Sequence, residues 1–166
     1  MIIRKAKPSE SNDIYNIIIK CKEDMKKRGE EQWPAHYPDI KNVTSDIEGG
    51  SLYVLGDEDI VACISINTDQ PTEYLAIDWE LKDNNPLIVH RIAVLPSEQK
   101  KGIAKKLMQF SEDFAKNYDH KSIRLDTYEN NTSSNRFYKN NGYVLRGTIR
   151  LPEYMSGKYN CYEKIL

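Results

Sequence analysis

The sequence predicts an α+β fold from three observations. Short apolar runs of strand length recur along the chain, and amphipathic stretches of helical period lie between them. One strand–helix–strand unit near the middle has the length of a right-handed parallel crossover. Residues 2–6 read as a first strand. Pro8-Ser9 opens a helix on which Ile14, Ile17, Ile18, Cys21 and Met25 recur at helical spacing, and Gly29 ends it. Gln32-Trp33-Pro34-Ala35-His36-Tyr37-Pro38 reads as a loop carrying exposed aromatics. Asp39 can cap a second short helix with Ile40, Val43 and Ile47 on one face, stopped by Gly49-Gly50.

Strands over residues 52–55 and 60–66 flank the hairpin signal Gly56-Asp57-Glu58-Asp59. A short strand is expected through Tyr74-Leu75-Ala76-Ile77-Asp78-Trp79. Residues 87–95 are almost continuously apolar, as a central strand covered on both faces must be. Residues 102–117 form the clearest helix, with Ile103, Leu107, Phe110 and Phe114 along one stripe. A strand at 123–127, a helix at 132–140 closed by Asn141-Gly142, and strands at 143–149 and 159–165 complete the series.

The chain of 166 residues is sized for one domain spanning 1–166, burying roughly 70% of the surface it exposes when unfolded. Its 24 Lys and Arg against 25 Asp and Glu leave a formal charge of −1, which excludes duplex binding driven by overall positive charge. The start of the chain has no apolar region of signal-peptide length, and no run of about 18 apolar residues suits a bilayer. Cys21, Cys63 and Cys161 are odd in number, far apart and set among apolar neighbours, as buried thiols of a reducing cytoplasm are. His36, His90 and His120 are equally scattered, and no metal-ligand spacing occurs, so no metal is expected.

The segment from His90 to Ala104 carries the most chemistry. An apolar strand runs into a short loop and the loop into a long helix, whose first backbone N–H groups lack intrahelical partners. A diphosphate can sit at such a helix start. Gly102 and Ala104 let phosphate oxygens approach the backbone, while Lys100, Lys101, Lys105 and Lys106 supply positive charge. The spacing is neither G-x-G-x-x-G nor the Walker pattern.

Ile92-Ala93-Val94 followed by Gln99-Lys100-Lys101-Gly102-Ile103-Ala104 resembles motif A of the GNAT superfamily of acyl-CoA-dependent N-acyltransferases, R/Q-x-x-G-x-G/A after an apolar-Ala-Val strand end. Downstream, the segment from Asn131 to Tyr143 resembles the family's N-x-x-A-x-x-F-Y-x-x-x-G-F, with Ser134 for the usual Ala and Tyr143 for the usual Phe. The detailed resemblance covers about residues 87–147. It implies a GNAT-like fold, a central mixed sheet flanked by helices with a splayed parallel strand pair, and acetyl-CoA as the donor substrate. Pantetheine would pair with the strand edge at Ile92, Ala93 and Val94. The loop residue Gln99 belongs to the same motif, and the diphosphate would lie on the amides of Lys100, Lys101, Gly102, Ile103, Ala104 and Lys105. Asn131 and Tyr138 would lie near the acyl end, and Asn131 has a competing role as a helix cap.

The implied reaction is direct attack of a primary amine on the thioester. A lysine-like amine of pKa about 10.4 is only roughly one part in a thousand neutral at pH 7, so a base helps. Tyr138 matches the family's catalytic tyrosine and would serve the departing thiolate. His90 is one expected base, since an unperturbed pKa near 6.5 suits the task, and a water relay to Asp78, Glu80 or Glu129 is another. No cysteine stands in a setting that favours a covalent route. Trp33, His36, Tyr37, Trp79 and Tyr154 are candidate walls of the acceptor pocket, with Asp78 or Glu80 to attract a cation. The acceptor would be a small-molecule amine or a peptide, with neither nucleic acid nor membrane as partner. By analogy the resemblance also admits a homodimer. The rival reading is a sensor module that holds acyl-CoA without turnover.

Overall fold

A computed structural model describes residues 1–57, 59–82, 85–151 and 157–166. Among the described residues there are seven strands: β1 (Ile3–Lys5), β2 (Leu52–Leu55), β3 (Ala62–Asn67), β4 (Leu87–Val94), β5 (Ser122–Tyr128), β6 (Val144–Arg150) and β7 (Lys158–Ile165). They form one sheet in the order β1-β2-β3-β4-β5-β7-β6, antiparallel except between β4 and β5. The helices are α1 (Ser11–Lys27), α2 (Ile40–Glu48), α3 (Ile103–Asn117) and α4 (Thr132–Asn140).

Strand alternation sends each apolar set to its own layer. Leu52 and Val54 meet Ile14, Ile18, Val43 and Ile47 of α1 and α2 on one face. Tyr53 and Leu55 point the other way, into the layer of Leu107 and Met108 of α3 and Tyr138 of α4. On α3 the buried stripe runs through Ile103, Leu107, Met108, Ser111 and Ala115. Phe110 and Phe114 from the expected stripe are only partly covered, with the Tyr53 ring 5.0 and 5.9 Å away.

Two expected features differ. The segment around Tyr74 is a 3-10 helix, Thr72–Ala76, not a strand. Tyr74, Ile77 and Trp79 are all buried, a spacing strand alternation cannot give, and the Trp79 indole N–H holds the turn closed on the Tyr74 carbonyl at 3.0 Å. The loop after α1 does not expose Trp33, which folds back into the α1–α2 cluster and is buried.

The feature that positions the site is a bulge in β4. Ser65 of β3 pairs with Arg91 and the next residue, Ile66, pairs with Val89, so His90 is the extra residue. The bulge resets the alternation, keeping Leu87, Val89, Ile92 and Val94 in the α3 layer. It also marks where β4 leaves its parallel neighbour. Pairing with β5 covers only Leu87 to Ile123, Ile88 to Arg124 and Val89 to Leu125. Beyond Val89 the two strands part.

Candidate active site

A cavity of about 640 Å³ opens where β4 and β5 separate, and it runs from the start of α3 to the start of α4. At its α3 end the wall is main chain. Lys100 and Gly102 have positive φ, 61° and 82°, and turn the loop into α3. A side chain at Gly102 would touch nothing within 4 Å, so the floor there is open, and it is the left-handed backbone that favours glycine. Lys106 is the first residue whose N–H returns along the helix, to the Gly102 carbonyl at 3.0 Å. The amides of Ile103, Ala104 and Lys105 have no partner within α3. Open floor, unpaired amides and exposed lysines fit a diphosphate.

In the middle, β4 offers its edge. The Leu95 N–H donates to the Val61 carbonyl of the β3 side at 2.9 Å, so alternation turns the backbone groups of Ile92 and Val94 toward the split. The Val94 carbonyl already accepts from the Cys21 thiol at 3.2 Å and the Gln99 amide at 3.1 Å. Gln99 therefore braces the loop with its side chain.

At the α4 end the wall is made of side chains from several elements. Tyr138 is buried, with ring centroids 5.3 Å from Phe137 and 5.9 Å from Tyr143 and Tyr162. Among the described residues its hydroxyl makes no hydrogen bond. Burial, then the Asp126 carboxylate, push its pKa above the usual phenol value. Asp126 comes from β5, facing β4 across the split, and its pKa is pushed up to about 6 because burial outweighs the hydrogen bond from Tyr74. His90, on the bulge, has Nε2 2.6 Å from Asn67 Oδ1. Burial, then the neighbouring Arg91 charge, press its pKa down to about 4. The pKa near 6.5 expected from sequence does not hold for the folded protein.

The loop after α1 is fastened to this end. Gln32 Oε1 accepts from Thr127 Oγ1 at 2.7 Å and Asn131 Nδ2 at 2.9 Å. Glu30 accepts from Thr132 Oγ1 at 2.6 Å and Ser133 N at 3.2 Å at the start of α4. Burial works to raise the Glu30 pKa, but those hydrogen bonds and Arg28 outweigh it, and the net shift is downward.

The acetyltransferase (GNAT) family matches residues 11–143, most of the chain. The chain belongs to the GNAT acetyltransferase family. It is similar, at 23% identity over 93% of its length and 84% of the relative's, to the uncharacterized N-acetyltransferase YesJ of Bacillus subtilis (strain 168). A GNAT acetyltransferase structure from Streptococcus agalactiae 2603 superposes with a TM-score of 0.87 at 25% identity, covering 99% of this chain and 95% of that one. Another from Listeria monocytogenes 4b F2365 shares the fold, with a TM-score of 0.79 at 23% identity over 99% and 94%.

Within this GNAT cleft the structure brings together His90, Ile92, Ala93, Val94, Gln99, Lys100, Gly102, Ile103, Ala104, Lys105, Asn131 and Tyr138. Lys101 is outside the wall, where it pairs with Glu98 at 3.0 Å on the surface. Asn131 caps α4, accepting from Ser134 N at 3.1 Å, and it also lines the cavity. Asp78, Glu80 and Glu129 stand away from the cavity. They face Lys82, Arg146 at 3.1 Å and the Lys158 backbone N–H at 3.2 Å, which corrects their expected place in a relay.

Of the expected acceptor wall, Trp33 lines the cavity. Tyr37 instead accepts a hydrogen bond from Arg91 at 2.8 Å, and Trp79 packs on Tyr74 at 5.1 Å. His36 is exposed outside the wall, and Tyr154 lies outside the described residues. Cys21 and Cys63 are buried thiols pushed up to about 12 by burial, and Cys161 is raised the same way. Asp126 is a cleft residue that the sequence motifs do not contain. Its one signal is a carboxylate inside the strand expected at 123–127, five residues before the Asn131 motif. Among the described residues no three His, Cys, Asp or Glu groups are arranged to hold a metal ion, and no described helix is long and apolar enough to cross a membrane.

Proposed function

We propose that this GNAT protein moves the acetyl group of acetyl-CoA to a primary amine of a small molecule or peptide, by direct attack in a ternary complex. The observation that carries the reading is the meeting of Asp126 of β5 and Tyr138 of α4 in the same cavity that ends on the unpaired α3 amides. With a pKa of about 6, Asp126 is about nine-tenths ionised at pH 7 and can take a proton from an arriving ammonium. It is a stronger base than His90 at about 4, so Asp126 is the proposed base.

The first proton passes from the ammonium to Asp126 and on to solvent. The neutral nitrogen attacks the thioester carbon, and an inward N–H of β4 near Ile92 stabilises the oxyanion. The C–S bond breaks, the new amide nitrogen loses its second proton, and the thiolate gains one. Tyr138, whose raised pKa makes it a reluctant acid, donates a hydrogen bond to the departing sulfur. The sum is ammonium plus acetyl-CoA giving amide, CoA thiol and one proton.

Thiol release from acetyl-CoA with a panel of small amines and peptides tests the reading. Turnover with at least one acceptor is expected, falling about ten- to a hundredfold in Tyr138→Phe with little change in acetyl-CoA affinity. Tight binding with no release for any amine would assign the sensor role instead.

A further inference from the structure

Tyr74 does not line the cavity and is almost wholly buried, at 2% exposure. Its hydroxyl nevertheless donates to Asp126 Oδ2 at 2.7 Å, reaching across from the 3-10 helix Thr72–Ala76. Tyr74 is itself held. The Trp79 indole N–H closes on its carbonyl, and the Trp79 ring packs against its own at 5.1 Å. The Arg124 guanidinium lies 4.5 Å above the Trp79 ring, and Arg124 is anchored to Glu163 at 3.4 Å and the Leu81 carbonyl at 2.6 Å. A chain of fixed contacts thus runs from a buried ion pair to one oxygen of the cleft carboxylate.

We infer that Tyr74 is a positioning residue for acetyl transfer: by holding Oδ2 from behind, it aims the other oxygen of Asp126 at the arriving amine and favours the ionised carboxylate. The inference rests on the reading of Asp126 as the base. The groups facing Asp126 are Tyr74 and Glu73 from the 3-10 helix, Tyr138 from α4, Cys161 paired opposite it on β7, and His90 across the cavity. Burial and Glu73 favour the protonated acid, and the Tyr74 hydrogen bond acts against them. A phenol buried only for packing could take any acceptor; this one takes the carboxylate that faces the cleft.

The test is a carboxyl 13C NMR titration of aspartate-labelled protein, with the Asp126 resonance identified by Asp126→Asn, beside the pH profile of kcat. In Tyr74→Phe the Asp126 midpoint and the acid limb of kcat are both expected to rise by about one unit. The kcat plateau should fall about tenfold while acetyl-CoA affinity by calorimetry stays unchanged. Trp79→Phe, which keeps the phenol but loosens its backbone, should move both midpoints the same way by less, and it carries the test if Tyr74→Phe does not fold. An unmoved Asp126 midpoint in the folded variant overturns the positioning role. If Asp126→Asn keeps wild-type turnover and its acid limb, the base assignment fails first and takes this inference with it.

Discussion

The two ends of the cleft are built from different material. At the α3 end the wall is backbone, the amides that follow a left-handed turn at Lys100 and Gly102. At the α4 end it is a set of side chains contributed by β4, β5, α4 and the loop after α1, tuned by one another's burial and hydrogen bonds. A backbone surface depends on which conformations the local sequence permits. A side-chain surface depends on contacts between residues far apart in the chain, such as Tyr74 and Asp126. Substitutions should therefore separate the ends, with affinity failing at one and turnover at the other.

The largest separation is expected from Asp126→Asn. Turnover should fall about a hundred- to a thousandfold while acetyl-CoA affinity stays within about twofold, read by steady-state kinetics and calorimetry. The same variant carries a stability signature of definite sign. Because the folded-state pKa, about 6, is raised above that of an ordinary aspartate, the group's favourable contribution is complete at low pH and is lost as pH rises through 6. Asp126→Asn should accordingly raise Tm at pH 8 but not at pH 4, by the equivalent of about 1–2 kcal/mol after screening at a side chain open to the cavity.

Gly102→Val probes the other end. A β-branched residue at φ 82° strains the turn, so acetyl-CoA affinity should fall about tenfold while kcat at saturation changes little. Loss of kcat with affinity intact would break the comparison.

The smallest effect belongs to His90. Its folded-state pKa, about 4, lies below the ordinary imidazole value, so its contribution is present above about pH 6.5 and lost as pH falls through 4. His90→Gln should lessen the drop in Tm between pH 7 and pH 4 by a few degrees. Asp126 acts in the opposite direction over the same window, so comparing the two single variants and the double sharpens the assignment of each.

The backbone-built end was legible in the sequence because its determinants are contiguous. Gln99-Lys100-Lys101-Gly102-Ile103-Ala104 carries the turn, the glycine and the helix start in six residues. Asn131 and Tyr138 were legible for the same reason, being seven residues apart on one helix and its cap. Neighbouring lysines could not be told apart, because only the fold sends Lys100 to the cavity and Lys101 to Glu98. Asp126 went unnoticed because its raised pKa comes from burial, and its partner Tyr74 sits 52 residues away in a segment whose apolar residues suggested a strand. His90 was found by position but carries a weaker basicity than its free imidazole, since desolvation and Arg91 are properties of the folded protein.

On the proposed function, the gap between β4 and β5 receives the thioester, with its nucleotide at the main-chain end and its reacting carbon at the side-chain end. Crystallography of the protein with acetyl-CoA tests this most directly. The diphosphate is expected on the amides that open α3, with the thioester flanked by Asp126 and Tyr138. A thioester lying away from both side chains, or a nucleotide bound outside the gap, would contradict it.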